Sequence, residues 1–185
     1  VSTVPQNITG YWTKKFLRSD FHTKNYITDA GQLGADNAIP VIRLAGLYLM
    51  QAEAWNEYEG PGNKVYDAIN KVRKRAGIPE VQTAWNTYSR VPSMITTKEG
   101  MRSIIQRERT IELAFEGHRF WDLRRWFNAH EHLNTKPVGW NVIGKTAKEY
   151  FNNFEGPKMI WNKAEFRSPR DYLFPIKSEE ARIAG

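Results

Sequence analysis

The residues best suited to chemistry lie in one stretch, 107–126, which reads RERTIELAFEGHRFWDLRRW. Glu112 and Glu116 lie one helical turn apart, and two carboxylates can serve as general acid and general base in the hydrolysis of a glycoside. That reaction requires the two groups to face each other across the scissile bond. Adjacent turns of one helix place them side by side instead, so the spacing predicts no catalytic residue.

A buried helix explains the same stretch better. The pattern predicts one long central helix over residues 97–128, with Thr97 or its neighbour as its N-cap. The apolar residues of this helix are not confined to one narrow stripe, which is typical of a helix covered by several neighbours. They are Ile104, Ile105, Ile111, Ala114, Phe115, Trp121, Leu123, Trp126 and Phe127. Glu108 shares the face of Ile104 and Ile111 because it lies four residues after one and three before the other.

Carboxylates in such surroundings require cationic partners, because burying an unpaired charge is costly. The available cations are Arg107, Arg109, Arg119, Arg124, Arg125 and, on the preceding helix, Arg43. We expect ion pairs between these arginines and the carboxylates of the stretch, including a pair from Asp122 to Arg119 or Arg125 at three-residue spacing. Gly117 would cost about 1 kcal/mol relative to alanine inside a helix. We therefore expect it to allow the close approach of another backbone.

A metal site is not predicted. Cysteine is absent, so thiolate chemistry is excluded and zinc could bind only through histidine and carboxylate side chains. His130 and His132 are two residues apart, which places them on different sides of a helix. No third ligand stands at a suitable spacing, and the H-E-x-x-H arrangement is absent. The sequence also predicts no cofactor, since it contains no glycine-rich phosphate loop.

The basic charge raises the question of nucleic acid. The net charge is +7 and the pI is about 9.6, which permits a nucleic acid or another anionic partner. One cluster comprises Lys71, Arg73, Lys74 and Arg75. It lies on an amphipathic helix whose other face is apolar, the usual arrangement of a solvated helix face. No recognition motif accompanies it, so nucleic-acid binding is not predicted.

The organisation of the chain is typical of one mainly α domain over residues 1–185. Helical spacing predicts a helical hairpin over 41–76, a long connection over 78–98 and an irregular closing region over 129–185. No run approaches the roughly 20 apolar residues that span a bilayer. The start, VSTVPQNITG, lacks the features of a signal peptide. We expect the chain to be a fragment or a processed form.

The stretch 107–126 also carries a resemblance. The pattern R-E-R-x-x-E-L-A-F-E-G-x-R-x-x-D-L-R-R-W resembles the signature of the SusD/RagB family of outer-membrane nutrient-binding lipoproteins. Other segments agree in order, namely GYWTKKF, IRLAGLYLMQAEA, AINKVRKRAGIP, GWNVIG and PRDYLFPI. The resemblance covers about residues 10–180 and corresponds to the C-terminal portion of a family member. The chain departs from the family at Gly46, where members generally have glutamate.

The resemblance implies a fold and a function. The expected fold combines a tetratricopeptide-like helical hairpin with a long buried helix, long irregular aromatic loops and little strand. Family members are not enzymes. They bind oligosaccharides, or in some cases peptides, on the extracellular face of the outer membrane, and they cover a SusC-like TonB-dependent transporter. The only membrane contact expected is a lipid anchor that this chain does not contain. A peptide-binding module or a scaffold that only docks on the transporter remains the alternative.

Ligand contacts are expected in the aromatic loops, since pyranose rings pack their C–H faces on aromatic rings while polar side chains bind the hydroxyls. Trp and Tyr offer large rigid area at low entropic cost. The candidates in the connection before the long helix are Trp85, Asn86, Tyr88 and Arg90, and those in the closing region are Trp140 and Tyr150, with Asn141, Asn153 and Trp161 nearby. The alternative for each ring is that it fills a small satellite core beneath a long loop.

Overall fold

The computed structural model describes residues 8–11, 13, 15, 40–160 and 165–174. These residues are mainly helical, which confirms the predicted fold class. The chain forms two compact units, Gly31–Arg119 and a second one made of Val1–Ala30 with Phe120–Gly185. Each unit is described by itself below. The single domain expected over residues 1–185 stays a prediction.

The first unit begins with the helical hairpin expected over 41–76. Helix α1 spans Leu44–Glu59 and helix α2 spans Asn63–Arg75, separated at Gly60, which has a positive φ of 87°. The apolar stripe of α2 is buried against α1, as its helical spacing predicts. The amide of Gly77 bonds the Lys74 carbonyl and the amide of Ile78 bonds the Arg73 carbonyl. This pattern closes the C-terminus of α2 with a left-handed glycine.

The segment predicted as a connection, 78–98, contains regular structure. Helix α3 spans Val81–Tyr88, and a short 3₁₀ helix spans Pro92–Thr96. The amide of Val81, at the start of α3, donates to the side-chain oxygen of Asn70 at 2.8 Å. The cap of α3 therefore comes from α2 rather than from the residues just before it, and local sequence carries no sign of it.

The long helix predicted over 97–128 is wrong as one element. Helix α4 spans Lys98–Glu112 and helix α5 spans His118–Arg125. Between them Phe115 has a φ of 65° and Gly117 a φ of 79°, and such angles lie outside the right-handed helical region. Among the residues that the structure describes, no atom lies within 4 Å of the position that a Cβ on Gly117 would take. Gly117 thus serves the turn through its positive φ, and the expected close approach of another backbone is also wrong.

The core of the first unit lies between α1, α2, α3 and α4. The fully or nearly buried members of its main cluster are Ala52, Val65, Ala68, Ile69, Val81, Ile95, Met101, Ile104 and Ile105. Trp85 and Met94 are partly buried and pack against this cluster. Burying one such aliphatic side chain contributes about 1.5–3 kcal/mol. The N-terminus of α4 is fixed beside this core because the Thr97 hydroxyl accepts from the Gly100 amide at 3.1 Å.

Arg43 connects the start of α1 to the end of α4 through ion pairs of the kind that the sequence predicts. Its Nε donates to Glu116 at 3.0 Å, and its Nη2 donates to the Glu112 carboxylate at 2.7 Å and to the Glu112 carbonyl at 3.1 Å. Arg75 of α2 adds bonds of 2.8 Å to both carboxylate oxygens of Glu112. The hydrogen bond to Glu116 raises the pKa of the Arg43 guanidinium, and the bond to Glu112 adds to this effect. We call these four side chains the Arg43 network.

The second unit contains short elements where an irregular region was expected. Helices α6 and α7 span Ala129–Leu133 and Ala147–Tyr150, and strands β1 and β2 pair antiparallel over Val138–Gly139 and Lys158–Met159. The side chain of Thr146 accepts from the Glu149 amide, and the Glu149 carboxylate bonds the Thr146 amide, which forms a capping box. A final 3₁₀ helix spans Arg170–Tyr172.

The core of the second unit corrects the expectation for Trp121. Leu123, Ala129 and Phe166 form its buried cluster, with Tyr172 packed against it. Trp121 is 59% exposed and contacts Phe120 edge-on, with ring centroids 5.0 Å apart. The helix of α4 ends before α5 begins, so extending one helical period across the break assigns the wrong buried face to α5. Asp122 pairs with Arg125 at 2.8 Å, as its spacing predicted.

Substitution of Arg43 tests the network. Arg43→Ala removes the cation that contacts both Glu112 and Glu116, and the Glu116 side chain is only 2% exposed. We expect a loss of about 3 kcal/mol in the free energy of unfolding, typical of breaking a buried pair. Arg102→Gln breaks an exposed pair with Glu57 and should cost about 1 kcal/mol or less. Urea denaturation of both variants measures the difference, and equal losses would contradict the special role of Arg43.

A second pair of variants tests the orientation of α5. Leu123→Ala removes a side chain that is 1% exposed and should cost about 2–5 kcal/mol. Trp121→Ala removes a larger but mostly exposed side chain and should cost about 1 kcal/mol or less. Thermal denaturation of the two variants gives the order, and a larger loss for Trp121→Ala would mean that the tryptophan is the buried residue.

Candidate ligand-binding site

A cleft in the first unit brings together residues of α2, α3 and α4. Its volume is about 330 Å³, which lies within the range of about 300–1,000 Å³ typical of small-molecule sites. Its lining combines apolar, aromatic and charged side chains. They belong to Arg73, Ile78, Ala84, Trp85, Tyr88, Ser89, Ile104, Arg107, Glu108 and Ile111.

Two rings on α3 form the aromatic wall of the cleft. Trp85 and Tyr88 are three residues apart, so they share one helix face. Trp85 is half-buried because part of its ring packs on the main core cluster. Tyr88 is 77% exposed at the last residue of α3. The wall therefore has a fixed ring beside the core and an accessible ring at the mouth.

Asn70 positions this wall, and no sequence motif marks it. Its Oδ1 accepts from the Val81 amide at 2.8 Å, and its Nδ2 donates to Gln82 Oε1 at 3.0 Å. Both bonds reach the first turn of α3 from α2. They satisfy an N-terminal amide that an eight-residue helix would otherwise expose. These bonds orient α3, and with it the rings of Trp85 and Tyr88, which lie one and two turns further along the helix.

The opposite side of the cleft is charged. Arg73 of α2 forms an ion pair with Glu108 of α4, and both side chains are largely buried. The Arg73 Nε also donates to the Pro79 carbonyl at 2.6 Å, which fixes the segment that leads into α3. Arg107 is exposed on α4, and no hydrogen bond or ion pair joins it to the residues that the structure describes. The Arg73 guanidinium is thus neutralised by Glu108, whereas the Arg107 guanidinium can still form an ion pair.

The charged side could have been found from helical spacing. Ile104, Arg107 and Ile111 lie at three- and four-residue intervals on α4, so they share a face with Glu108. The sequence pattern predicts that this face is buried, but the cleft depends on α3, which the pattern does not predict as a helix. Without α3 no element was available to form the facing wall.

The predicted ligand residues fall in different places. Trp85 and Tyr88 line the cleft. Asn86 and Arg90 are exposed and are not among the residues that line it. Trp161 lies outside the described residues.

Trp140 and Tyr150 belong to the second unit. Their ring centroids are 6.5 Å apart, and Phe151 packs edge-on against both rings. The Tyr150 hydroxyl donates to the Gly10 carbonyl at 3.0 Å, and the Trp140 amide donates to the Thr9 carbonyl at 3.0 Å. These contacts favour the satellite-core alternative for the two rings, since the rings pack with Phe151 while the Tyr150 hydroxyl and the Trp140 backbone hold a distant segment of the chain.

Two further properties of the described residues bear on the site. No group of three or more His, Cys, Asp or Glu side chains among them is arranged to hold a metal ion. His130 instead contacts the Tyr172 hydroxyl through its Nδ1 at 2.8 Å. No helix in the described part of the chain is both long and apolar enough to cross a membrane.

The fold and the sequence together define the family. The model of the SusD family matches residues 2–183 of this chain, and the chain therefore belongs to the SusD family. This agrees with the resemblance of the stretch 107–126 to the family signature.

Individual relatives support the assignment. One SusD-like protein of Formosa agariphila is 46% identical over 92 residues, which cover 50% of this chain and 16% of that protein. Another from the same organism is 29% identical over 168 residues, which cover 86% of this chain and 27% of that protein. The crystal structure of a SusD-like protein from Bacteroides fragilis is similar with a TM-score of 0.58 at 28% identity, over 80% of this chain and 24% of that one. The chain thus spans between 16% and 27% of the length of these relatives.

Asn70→Ala tests how α3 is positioned. Loss of two hydrogen bonds to the first turn of α3 should cost about 1 kcal/mol and should lower the hydrogen-exchange protection of the Val81 amide. Amides in the middle of α4, such as that of Ile105, should change less. Asn63→Ala removes an exposed asparagine at the start of α2 and serves as the matched control. Unchanged protection at Val81 in Asn70→Ala would show that α3 does not depend on this cap.

Proposed function

We propose that this chain is part of a non-catalytic cell-surface protein that binds oligosaccharides for uptake across the outer membrane. The observation that carries the proposal is the aromatic wall of Trp85 and Tyr88 in a cleft of a SusD-family chain. A flat sugar face requires a ring that is rigid and accessible. Trp85 supplies rigidity through its contact with the core, and Tyr88 supplies access.

Polar groups around the wall can bind sugar hydroxyls. Ser89 and Glu108 line the same cleft as the two rings, and a carboxylate accepts strong hydrogen bonds from hydroxyl groups. A mostly apolar lining with a few convergent polar groups is typical of small-molecule sites. The cleft therefore offers both kinds of contact that a pyranose ring makes.

The carboxylates of the family signature support a binding role rather than catalysis. Glu112 and Glu116 are both engaged by Arg43, and Glu112 also by Arg75. Both carboxylates are therefore held in ion pairs between helices, and this pair suits a structural role.

The rest of the proposal concerns the whole protein. We propose a SusC-like TonB-dependent transporter as its partner, the extracellular face of the outer membrane as its location and a lipid anchor as its attachment. Family membership supports these assignments. A peptide-binding or purely transporter-docking module is the other candidate, and it predicts no saccharide binding by the cleft.

Isothermal titration against a panel of soluble neutral and anionic polysaccharides, with a peptide pool alongside, tests the proposal. Tyr88→Ala should weaken saccharide binding by about tenfold or more, as expected when an aromatic contact is removed from a binding site. Its thermal stability should change little because the ring is 77% exposed. Tyr58→Ala removes a tyrosine of the same unit that is 79% exposed and lies outside the cleft, and it should bind like the unchanged chain.

Trp85→Ala is a less selective variant, because its ring also packs on the core and its loss should lower stability as well as binding. Saccharide binding that survives unchanged in Tyr88→Ala would exclude the cleft as the site. A peptide signal without any saccharide signal would favour the peptide-binding alternative, and silence throughout would favour the docking scaffold.

A further inference from the structure

We infer that the cleft selects anionic oligosaccharides, those carrying uronate carboxylates or sulfate esters, and that Arg107 is the specificity-determining residue. This inference rests on the proposed function, because it assigns a substrate class to the same cleft. Its basis is the imbalance between two arginines that line the cleft and one carboxylate that can neutralise them.

The first arginine is already satisfied. Arg73 forms its ion pair with Glu108 and donates to the Pro79 carbonyl at 2.6 Å. Its guanidinium is held by contacts on both α4 and the segment before α3. Arg73 therefore contributes to the shape of the cleft, and Glu108 contributes little free negative charge to it.

Arg107, the second arginine, makes no structural contact of this kind with the described residues. Arg107 lines the cleft and is exposed, and the part of the chain that the structure describes supplies it with no hydrogen bond or ion pair. Its neighbours on α4 behave differently, since Arg109 is buried and Arg102 forms a bidentate pair with Glu57. Arg107 consequently leaves the cleft with a net positive charge beside an aromatic wall.

The combination fits an anionic sugar. Trp85 and Tyr88 provide surface for the ring, and a guanidinium provides parallel donors that match the two oxygens of a carboxylate or of a sulfate. A hydroxyl group offers a single uncharged oxygen, so it matches this pair of donors less well. The chain as a whole has a net charge of +7, which further raises the local concentration of anionic ligands.

Ligand pairs that share a backbone and differ in charge test the inference. The first pair is an oligogalacturonate and its methyl ester, and the second is a sulfated galactan oligosaccharide and its desulfated form. We expect the anionic member of at least one pair to bind about tenfold or more tightly than the neutral member. The preference should shrink as salt is raised from about 0.05 M to about 0.5 M, because an exposed guanidinium is screened.

Two variants locate the preference. Arg107→Gln should bring the affinities for the anionic and neutral members together, with binding of the neutral member retained. Lys74→Gln removes the same charge from an exposed position on α2 outside the cleft, and it should keep the preference. Circular dichroism melting should show that both variants remain folded.

The outcomes separate this inference from the proposed function. Equal binding of charged and neutral members, binding of neutral saccharides only, or a preference that survives in Arg107→Gln would overturn the inference while the proposed function stands. The absence of binding to every saccharide would overturn both. Preference within one pair alone would identify the anion as uronate or as sulfate.

Discussion

The first unit depends on Arg43, which joins the start of α1 to the end of α4. Its single guanidinium donates to two carboxylates and a backbone carbonyl there. It is also the residue immediately before α1. The chain leaves the helical conformation at 113–117 just beyond this contact, and a positive φ at a phenylalanine is unfavourable by itself. Three charge-assisted bonds offset that cost and fix where α4 ends.

The remaining arrangement follows from the orientation of α4. Glu108 and Glu112 are four residues apart, so one row on α4 faces two arginines of α2, Arg73 and Arg75. This row fixes the rotation of α4 about its own axis. Arg107, one position before Glu108, is thereby turned to the edge of the α2–α4 contact, where the cleft opens. The structural ion pairs and the position of the Arg107 guanidinium at the cleft are thus set by the same helix rotation.

Sequence patterns were informative where contacts are local or periodic. Helical spacing located α1 and α2, and the dense motif around Glu112 identified the family. Two features depend on distant contacts. The cap of α3 comes from Asn70, eleven residues before Val81, and the left-handed Phe115 follows a run with good helical propensity. The prediction that Trp121 is buried fails because a helical period holds only up to the first break in the helix. The sequence marks Trp85 and Tyr88 as ligand candidates, but it does not predict α3, the helix that places both on one face.

The two rings of the aromatic wall differ in how freely evolution can exchange them. Trp85 packs on the main core cluster as well as lining the cleft, so a replacement there must fit the core and the cleft at once. Tyr88 is the last residue of α3 and is mostly exposed, so a replacement there changes only the lining of the cleft. The chemistry of the lining can therefore change through position 88 while position 85 keeps the packing of α3 constant.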